Sequence, residues 1–234
     1  MESHPLISVV MPVLDEAPGI EAALAPLQAL RTAGGEVIVV DGGSRDATRA
    51  LAMPWADRVL EAPRGRAAQM NAGARAASGE ILLFLHADTI LPAQALGAVT
   101  AGLQRTRRDW GRFDVSISGA DPLLVLVALL MNVRSRATGI ATGDQAIFAR
   151  RAAFERAGGF PEIPLMEDVA LCKALKRQSA PLCLRERVVT SGRRWEKHGT
   201  LRTIVLMWRL RLAYALGADP RLLARRYEVE RTSS

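Results

Sequence analysis

Three acidic sites stand where strands should end: Asp41 after Glu36 to Val40, Asp88 after Ile81 to His86, and the pair Glu167-Asp168 beyond Gly158-Gly159. Carboxylates so placed have three uses. They accept hydrogen bonds from a ribose or base, they give hard oxygen donors to Mg or Mn, and one within reach of a hydroxyl can take its proton. In an open α/β sheet the carboxyl ends of parallel strands line one crevice, so acids far apart in sequence can meet there. The combination describes chemistry on a metal-bound nucleotide diphosphate.

Each site also has a plainer reading. Asp41, followed by Gly42-Gly43-Ser44, can contact a nucleoside or cap the next helix. Arg64 and Arg66 sit on a basic turn entering a helix, which suits a phosphate or a solvated surface equally. His86 can touch a ribose, a metal or only local partners. Glu167-Asp168 opens a helix, where the dipole favours negative side chains, and its functional reading is Asp168 as general base. A dinucleotide fold would put G-x-G-x-x-G after the first strand; that place holds Pro12-Val13-Leu14-Asp15-Glu16, and no G-x-x-x-x-G-K-[ST] occurs.

The elements that must position these residues are legible as short apolar runs. Ile7 to Met11, Val37 to Val40 and Ile81 to Leu85 read as strands buried on both faces of a parallel sheet. Between them Pro18 to Arg31, Arg45 to Ala52 after a Ser44 cap, and Ala67 to Ala77 read as helices. Farther on the pattern predicts a helix from Pro92 to about Gln104, a half-exposed strand in Phe113 to Ser118, and a helix over 122–136. A strand in Asp144 to Arg150 follows, then a helix closed by Gly158-Gly159, one from Met166 to Lys176, and one over 201–216. A mixed sheet is implied in this second part.

With 234 residues and 49% hydrophobic content, the chain suits one sizeable domain. We divide it into a nucleotide-binding half (1–110), an acceptor half (111–190) and a basic helical extension (191–234). The net charge of +7 is unevenly spread: residues 185–234 hold 12 Lys and Arg against 5 Asp and Glu, so the excess is C-terminal. Such an end attracts phosphate-bearing molecules, anionic lipid or nucleic acid, the last disfavoured because no aromatic-rich sheet face accompanies the charge. Cys172 and Cys183, without zinc-ligand spacing, read as small buried hydrophobes. The N-terminus reads as a strand and not a signal peptide, which implies a cytoplasmic protein, and the longest apolar run, 123–131, is far short of the roughly 18 residues of a membrane span.

Pro12-Val13-Leu14-Asp15-Glu16, Val40-Asp41-Gly42-Gly43-Ser44, Asn71-Ala72-Gly73, His86-Ala87-Asp88 and the segment from Gly158-Gly159-Phe160 to Glu167-Asp168 resemble, in that order, the family 2 glycosyltransferases of the GT-A fold. The match covers about residues 6–190. FLHADT, FPEIPLMED and TSGRRWEKHG look most like a bacterial subgroup associated with radical-SAM and selenium-domain proteins, sometimes linked to arsenosugar synthesis. The resemblance implies a Rossmann-like, mostly parallel sheet with helices on both faces, and an inverting sugar transfer from a nucleotide-diphosphate donor to an acceptor hydroxyl. It implies that Pro12, Val13, Leu14, Glu16 and Asp41 surround the nucleoside, with His86 and Glu167 in the substrate site. Arg66 approaches the diphosphate, Asp88 binds Mn or Mg, and Asp168 is the base. Arg193-Arg194-Trp195 resembles the Arg-Trp element of processive relatives, which implies that Arg194 neutralises the leaving diphosphate, and His198 is a further metal candidate. The chain departs from the family where the usual Asp-x-Asp reads His86-Ala87-Asp88 and where Gly42 replaces a second Asp. Rival readings are nucleotidyl transfer and a membrane-surface module built on the basic helix 201–216, with packing against the sheet or a homodimer contact, its arginines solvated, as that helix's other uses.

Overall fold

The structure, a computed structural model, describes residues 6–232, with the side chains of Arg194, His198 and residues 228–232 outside that description. Its strands are β1 (Ile7–Val13), β2 (Glu36–Asp41), β3 (Arg58–Glu61), β4 (Ile81–Phe84), β5 (Thr89–Ile90), β6 (Trp110–Ser118), β7 (Phe148–Arg150) and β8 (Leu182–Ser191). The helices are α1 (Ile20–Leu24), α2 (Gln28–Thr32), α3 (Thr48–Ala52), α4 (Arg66–Ala76), α5 (Ala95–Thr106), α6 (Leu123–Thr138), α7 (Arg151–Arg156), α8 (Glu167–Lys176), α9 (Arg193–His198), α10 (Thr200–Ala215) and α11 (Pro220–Thr232).

All strands join one sheet in the order β3-β2-β1-β4-β7-β6-β8-β5. The β3, β2, β1 and β4 neighbours are parallel, β7 is antiparallel to both β4 and β6, β6 and β8 are parallel, and β5 closes the far edge antiparallel to β8. The sheet is therefore mixed α/β with a parallel half. Val9, Val10, Ile38, Val39, Ile81 and Leu83 have no or almost no exposure, as strands covered by helices on both faces require. Two apolar layers result. One packs α1, α2 and α5 on one face around Met11, Leu24, Val39 and Phe148; the other packs α4, α7 and α8 on the opposite face around Val10, Phe84, Phe154 and Phe160.

Several expected elements change on folding. The helix predicted over Pro18 to Arg31 is interrupted by a 3-10 turn at Ala25–Leu27, where Pro26 supplies no N–H for a continuous helix. The helix expected after a Ser44 cap begins only at Thr48; its free N–H is taken by Asp46 Oδ1 at 3.0 Å, while Ser44 is spent on the loop below. Phe113 to Val115 are buried instead of alternating, because α6 covers β6 through Asn132, whose amide pairs with both the N–H and the C=O of Val115 at 2.9 Å. Of Asp144 to Arg150 only Phe148–Arg150 is strand, preceded by a tight turn at Gly143–Gln145. Of the cysteines, both free, Cys172 is buried and Cys183 is only half-buried.

The C-terminal extension is not a loose appendage. Leu210 of α10 and Leu223 of α11 bury themselves with Met166 and Val169, so both helices pack beside the start of α8, where the acidic pair lies.

Candidate functional site

The chain leaves β1 outward to β2 and β3, then returns to β4 on the other side of β1, which opens a crevice beyond the carboxyl ends of β1, β2 and β4. Its floor is built by reciprocal bonds between two loops. Asp15, held at φ 53°, gives its N–H to Ser44 Oγ at 2.9 Å and takes the Arg45 N–H on its carboxylate at 2.8 Å; the Glu16 N–H goes to Thr48 Oγ1 at 2.8 Å. Gln69, on α4, gives its amide to the carbonyls of Val13 and Val40, both at 2.8 Å, and so fixes the ends of β1 and β2 together. A Cβ on Gly42 would stand 3.0 Å from that Gln69 amide, which gives the glycine in this loop a packing reason.

Asp41 is 1% exposed, and its carboxylate accepts the N–H groups of Gly43 and Ser44, each at 2.9 Å, and the Ser44 hydroxyl. It shapes the loop, with Gly43 at φ 89° making the turn. Pro12, Leu14 and Glu16 line the half-buried exit of β1, and Val13 lies buried beneath them.

Asp88 and Glu16 form a carboxylate pair. Burial raises the Glu16 pKa first and the charge of Asp88 raises it further, against the pull of Arg193 and Arg66. Asp88 is fixed from the far edge of the sheet: its carbonyl takes the Ser191 N–H at 2.9 Å, and Thr89 gives its hydroxyl to Thr190 Oγ1 at 3.1 Å. The β8–α9 junction thus brings Arg193 near the acids. Trp195 is half-buried on α9 with its backbone N–H on the Gly192 carbonyl at 2.8 Å; Arg194 and His198, on the same helix, lie outside the described side chains.

The acidic pair opens α8 behind Met166, which is forced to φ 70°. Asp168 accepts the Gly143 N–H on Oδ2 at 2.9 Å and its neighbour Val169 N–H on Oδ1 at 2.7 Å. Burial nevertheless raises its pKa, with Asp144 adding to the rise and His86 opposing it. Glu167, 7% exposed, is pushed up to about 7 by burial and then by Asp168. His86 Nδ1 is 3.4 Å from Asp144 Oδ1, and its ring rests on Gly143 so closely that a Cβ there would meet Cε1 at 2.3 Å. Arg66 keeps an exposed surface at the mouth of the cleft while neighbouring atoms crowd its guanidinium; that crowding works against its charge, but Glu167 and Asp144 more than offset it and raise its pKa. A small pocket lined by Met70, Phe84, His86, Gly143, Phe160, Glu167 and Asp168 opens at this point.

Of the residues expected in the site, Glu16, Arg66, His86, Asp88, Glu167 and Asp168 act on one another across one cleft, whereas Asp41 spends its carboxylate on its own loop. Arg193, from the Arg193-Arg194-Trp195 element, joins them, and three further residues enter that sequence reading did not single out: Gly143, Asp144 and Arg134. Arg134, on α6, has Nε and Nη2 buried without a hydrogen-bond partner. Burial lowers its pKa, and the charge of Asp168 opposes that fall most strongly. The Gly-Asp turn at 143–144 was a usable signal; nothing local marked Arg134.

Among the described residues no group of three or more His, Cys, Asp or Glu side chains forms a ready-made metal cage. The donor set fits a cation only partly: Asp88 and Glu16 are hard, mutually repelling oxygen donors that a divalent ion would relieve, and the remaining oxygens would come from a diphosphate.

Residues 8–123 match the family model described as Glycosyl transferase family 2. The chain carries a glycosyl transferase family 2 domain. A curated relative, the glycosyltransferase AglE of Haloferax volcanii, is 33% identical over 93 residues, 36% of this chain and 31% of that protein. The mannosyltransferase PcManGT of Pyrobaculum calidifontis, solved with GDP-Man and Mn2+, superposes with a TM-score of 0.64 at 23% identity, over 91% of this chain and 62% of that one. Glucosyl-3-phosphoglycerate synthase of Mycobacterium tuberculosis, solved with Mn2+, UDP and glucosyl-3-phosphoglycerate, gives 0.60 at 21% identity, over 81% and 72%. The chain spans less than a third of AglE and less than two thirds of the Pyrobaculum protein. The fold is GT-A, and domain and fold together point to a glycosyltransferase enzyme.

Proposed function

We propose that this chain moves a sugar from a nucleotide-diphosphate donor to an acceptor hydroxyl with inversion, residues 1–110 holding the nucleotide and 111–190 the acceptor. The observation that carries the reading is a chain of charges in one cleft beyond the strand ends, with Asp88 and Arg66 acting on Glu16, Asp168 on Arg66 and His86 on Asp168. The exit of β1 with Glu16, beside the Asp41 loop, would bracket the nucleoside. Arg66, with Arg193 and Arg194 from α9, would hold the diphosphate and take up the charge that grows on it.

Asp88 with Glu16 would hold Mn or Mg, whose chemistry is to stabilise negative charge on the departing diphosphate. Asp168 accepts the acceptor's hydroxyl proton as that oxygen bonds to the anomeric carbon from the face opposite the diphosphate. The bond to the diphosphate breaks with its electron pair on the phosphate oxygen, so the centre inverts. The Gly143 and Val169 N–H groups orient the base, and Glu167, protonated below about pH 7, donates a hydrogen bond toward the sugar. The motifs FLHADT, FPEIPLMED and TSGRRWEKHG support placing the protein in the radical-SAM-associated subgroup, acting in the cytoplasm and peripherally at the inner face of the membrane.

A thermal-shift screen of nucleotide sugars, with and without Mn, tests donor binding: stabilisation by a UDP or GDP sugar is expected. Asp168→Asn then tests the base. Transfer should fall by roughly 10²- to 10⁴-fold while the donor-induced shift persists. Equal loss of both would move Asp168 from chemistry to structure.

A further inference from the structure

Two helices leave apolar faces uncovered on the outside of the molecule. On α10 and its C-terminal cap, Leu201, Val205, Trp208, Leu212 and Leu216 recur at intervals of three and four and are all exposed, Trp208 by 69% and Leu212 by 62%. At the helical repeat they fall within an arc of about 80°. Arg202 and Arg209 border that arc on one side and Arg211 on the other, while Thr203 and Leu210 face inward. On α6, Leu123, Val125, Leu126, Leu129, Leu130 and Val133 are also exposed, Val125 by 73%. The two helices touch, and the turn that leads into α6 is tied to α9 and the start of α10: Asp121 takes the Thr200 hydroxyl and the Ala120 N–H goes to Glu196 Oε1 of α9 at 3.0 Å.

Apolar surface of this extent on a water-soluble face marks a contact. The charge around it says with what. The chain's excess of positive charge lies in the same C-terminal segment, 12 Lys and Arg against 5 Asp and Glu over residues 185–234. Arginines at the edge of an apolar stripe, with a tryptophan within it, fit an interface where hydrocarbon gives way to anionic headgroups. A second copy of the chain fits worse, since a two-fold contact through this face sets like charges against one another.

We propose that the α6–α10 face seats on the surface of an anionic phospholipid bilayer, with α10 lying in the headgroup plane. No helix among the described residues is long and apolar enough to cross the bilayer, so the attachment is peripheral. Tyr214, on the inward side of α10, feels the charge of Asp168, and its ring lies 4.9 Å from Lys173 Nζ on α8. The docked helix is thereby next to the base. Where Asp168 activates an acceptor, which rests on the reading above, that acceptor is a hydroxyl presented at the membrane surface.

The test is co-sedimentation of the full chain with phosphatidylcholine vesicles with and without phosphatidylglycerol. The protein should pellet only with the anionic vesicles and less so as salt is added. Trp208→Glu with Leu212→Glu should lower the partition coefficient at least about tenfold, and Arg209→Gln and Arg211→Gln about fivefold each. Far-UV circular dichroism and the donor-induced thermal shift should be unchanged in the Trp208 and Leu212 variants, which alter only exposed side chains. The proposal is overturned if the wild type stays in the supernatant, if the variants pellet like the wild type, or if ultracentrifugation shows a dimer that the glutamate variants split. Binding to vesicles needs no sugar transfer, so its failure is distinguishable from a failure of the donor screen.

Discussion

Glu167→Gln isolates the electrostatic cost of the site. The Glu167 carboxyl is raised from 4.5 to about 7 by burial and by Asp168, against Arg66 and His86. Because the folded state holds that proton more tightly than the unfolded chain, its stabilising effect is complete below pH 4.5 and is lost as pH rises to about 7. At about 1.4 kcal/mol per pH unit the loss approaches about 3 kcal/mol, a ceiling because Asp168 shares the same burial. Glutamine cannot ionise, so the variant escapes the loss. Urea unfolding of both proteins at a series of pH values should show the variant gaining on the wild type between pH 4.5 and 7, with no further gain well above that range. The reasoning is refuted if the two stability curves run parallel through that window, or if the wild type gains on the variant as pH rises.

Other outcomes follow from single contacts. Arg134→Met removes the cation that favours ionised Asp168, so the acidic limb of the transfer rate against pH should move to higher pH; a lower rate with an unmoved limb would assign Arg134 to packing. Gly73→Ala would press a Cβ to 2.3 Å from Val10 Cγ1, and overpacking of this kind should cost about 2 kcal/mol, a fall in Tm of roughly 4–8 °C by calorimetry. Asn71 gives its amide N–H to the Phe160 carbonyl at 2.8 Å and takes the Phe160 N–H at 2.9 Å. Asn71→Ala should therefore loosen the 158–166 loop, seen as faster amide exchange there, at a cost of about 1–3 kcal/mol. Gly143→Ala should displace the His86 ring and lower transfer roughly tenfold, read as kcat at saturating donor.

The parallel half was legible because its strands are buried on both faces and so are apolar without interruption: β1, β2 and β4 lie where Ile7, Val37 and Ile81 begin their runs. The acids at their ends were legible as breaks in these runs, although Asp41 stays buried and meets its charge with N–H groups of its own loop. The edges were not. In β8, Leu182 to Ser191, arginine and glutamate stand among the apolar residues, and in β3 two of four positions are exposed, so neither shows the uniform signal of a covered strand. Two-residue β5 exists only through its pairing with β8. In the site, the acidic pair Glu167-Asp168 at a helix start was readable from residue type, but Asp41's bonds to Gly43 and Ser44 depend on the folded loop. Arg134 is one of many arginines, and only its burial distinguishes it.

Strand direction explains why so much of the cleft comes from the second half of the chain. Since β7 is antiparallel to β4, with Leu83 opposite Phe148 and Ile81 opposite Arg150, the residues before β7 must lie beyond the end of β4. That places Gly143 and Asp144 against His86 and supplies the N–H that orients Asp168. β6 is antiparallel to β7 and β8 is parallel to β6, so β8 finishes at the same end, and Ser191 reaches the Asp88 carbonyl. An antiparallel strand inserted after a parallel half delivers a turn, a helix start and a strand end to the crevice that the first three strands had opened. Reversing β7 would put Asp144 at the opposite end of the strands and leave Asp168 without the Gly143 bond, so the setting of Asp168 depends on a pairing across some 65 residues of sequence that no local pattern encodes.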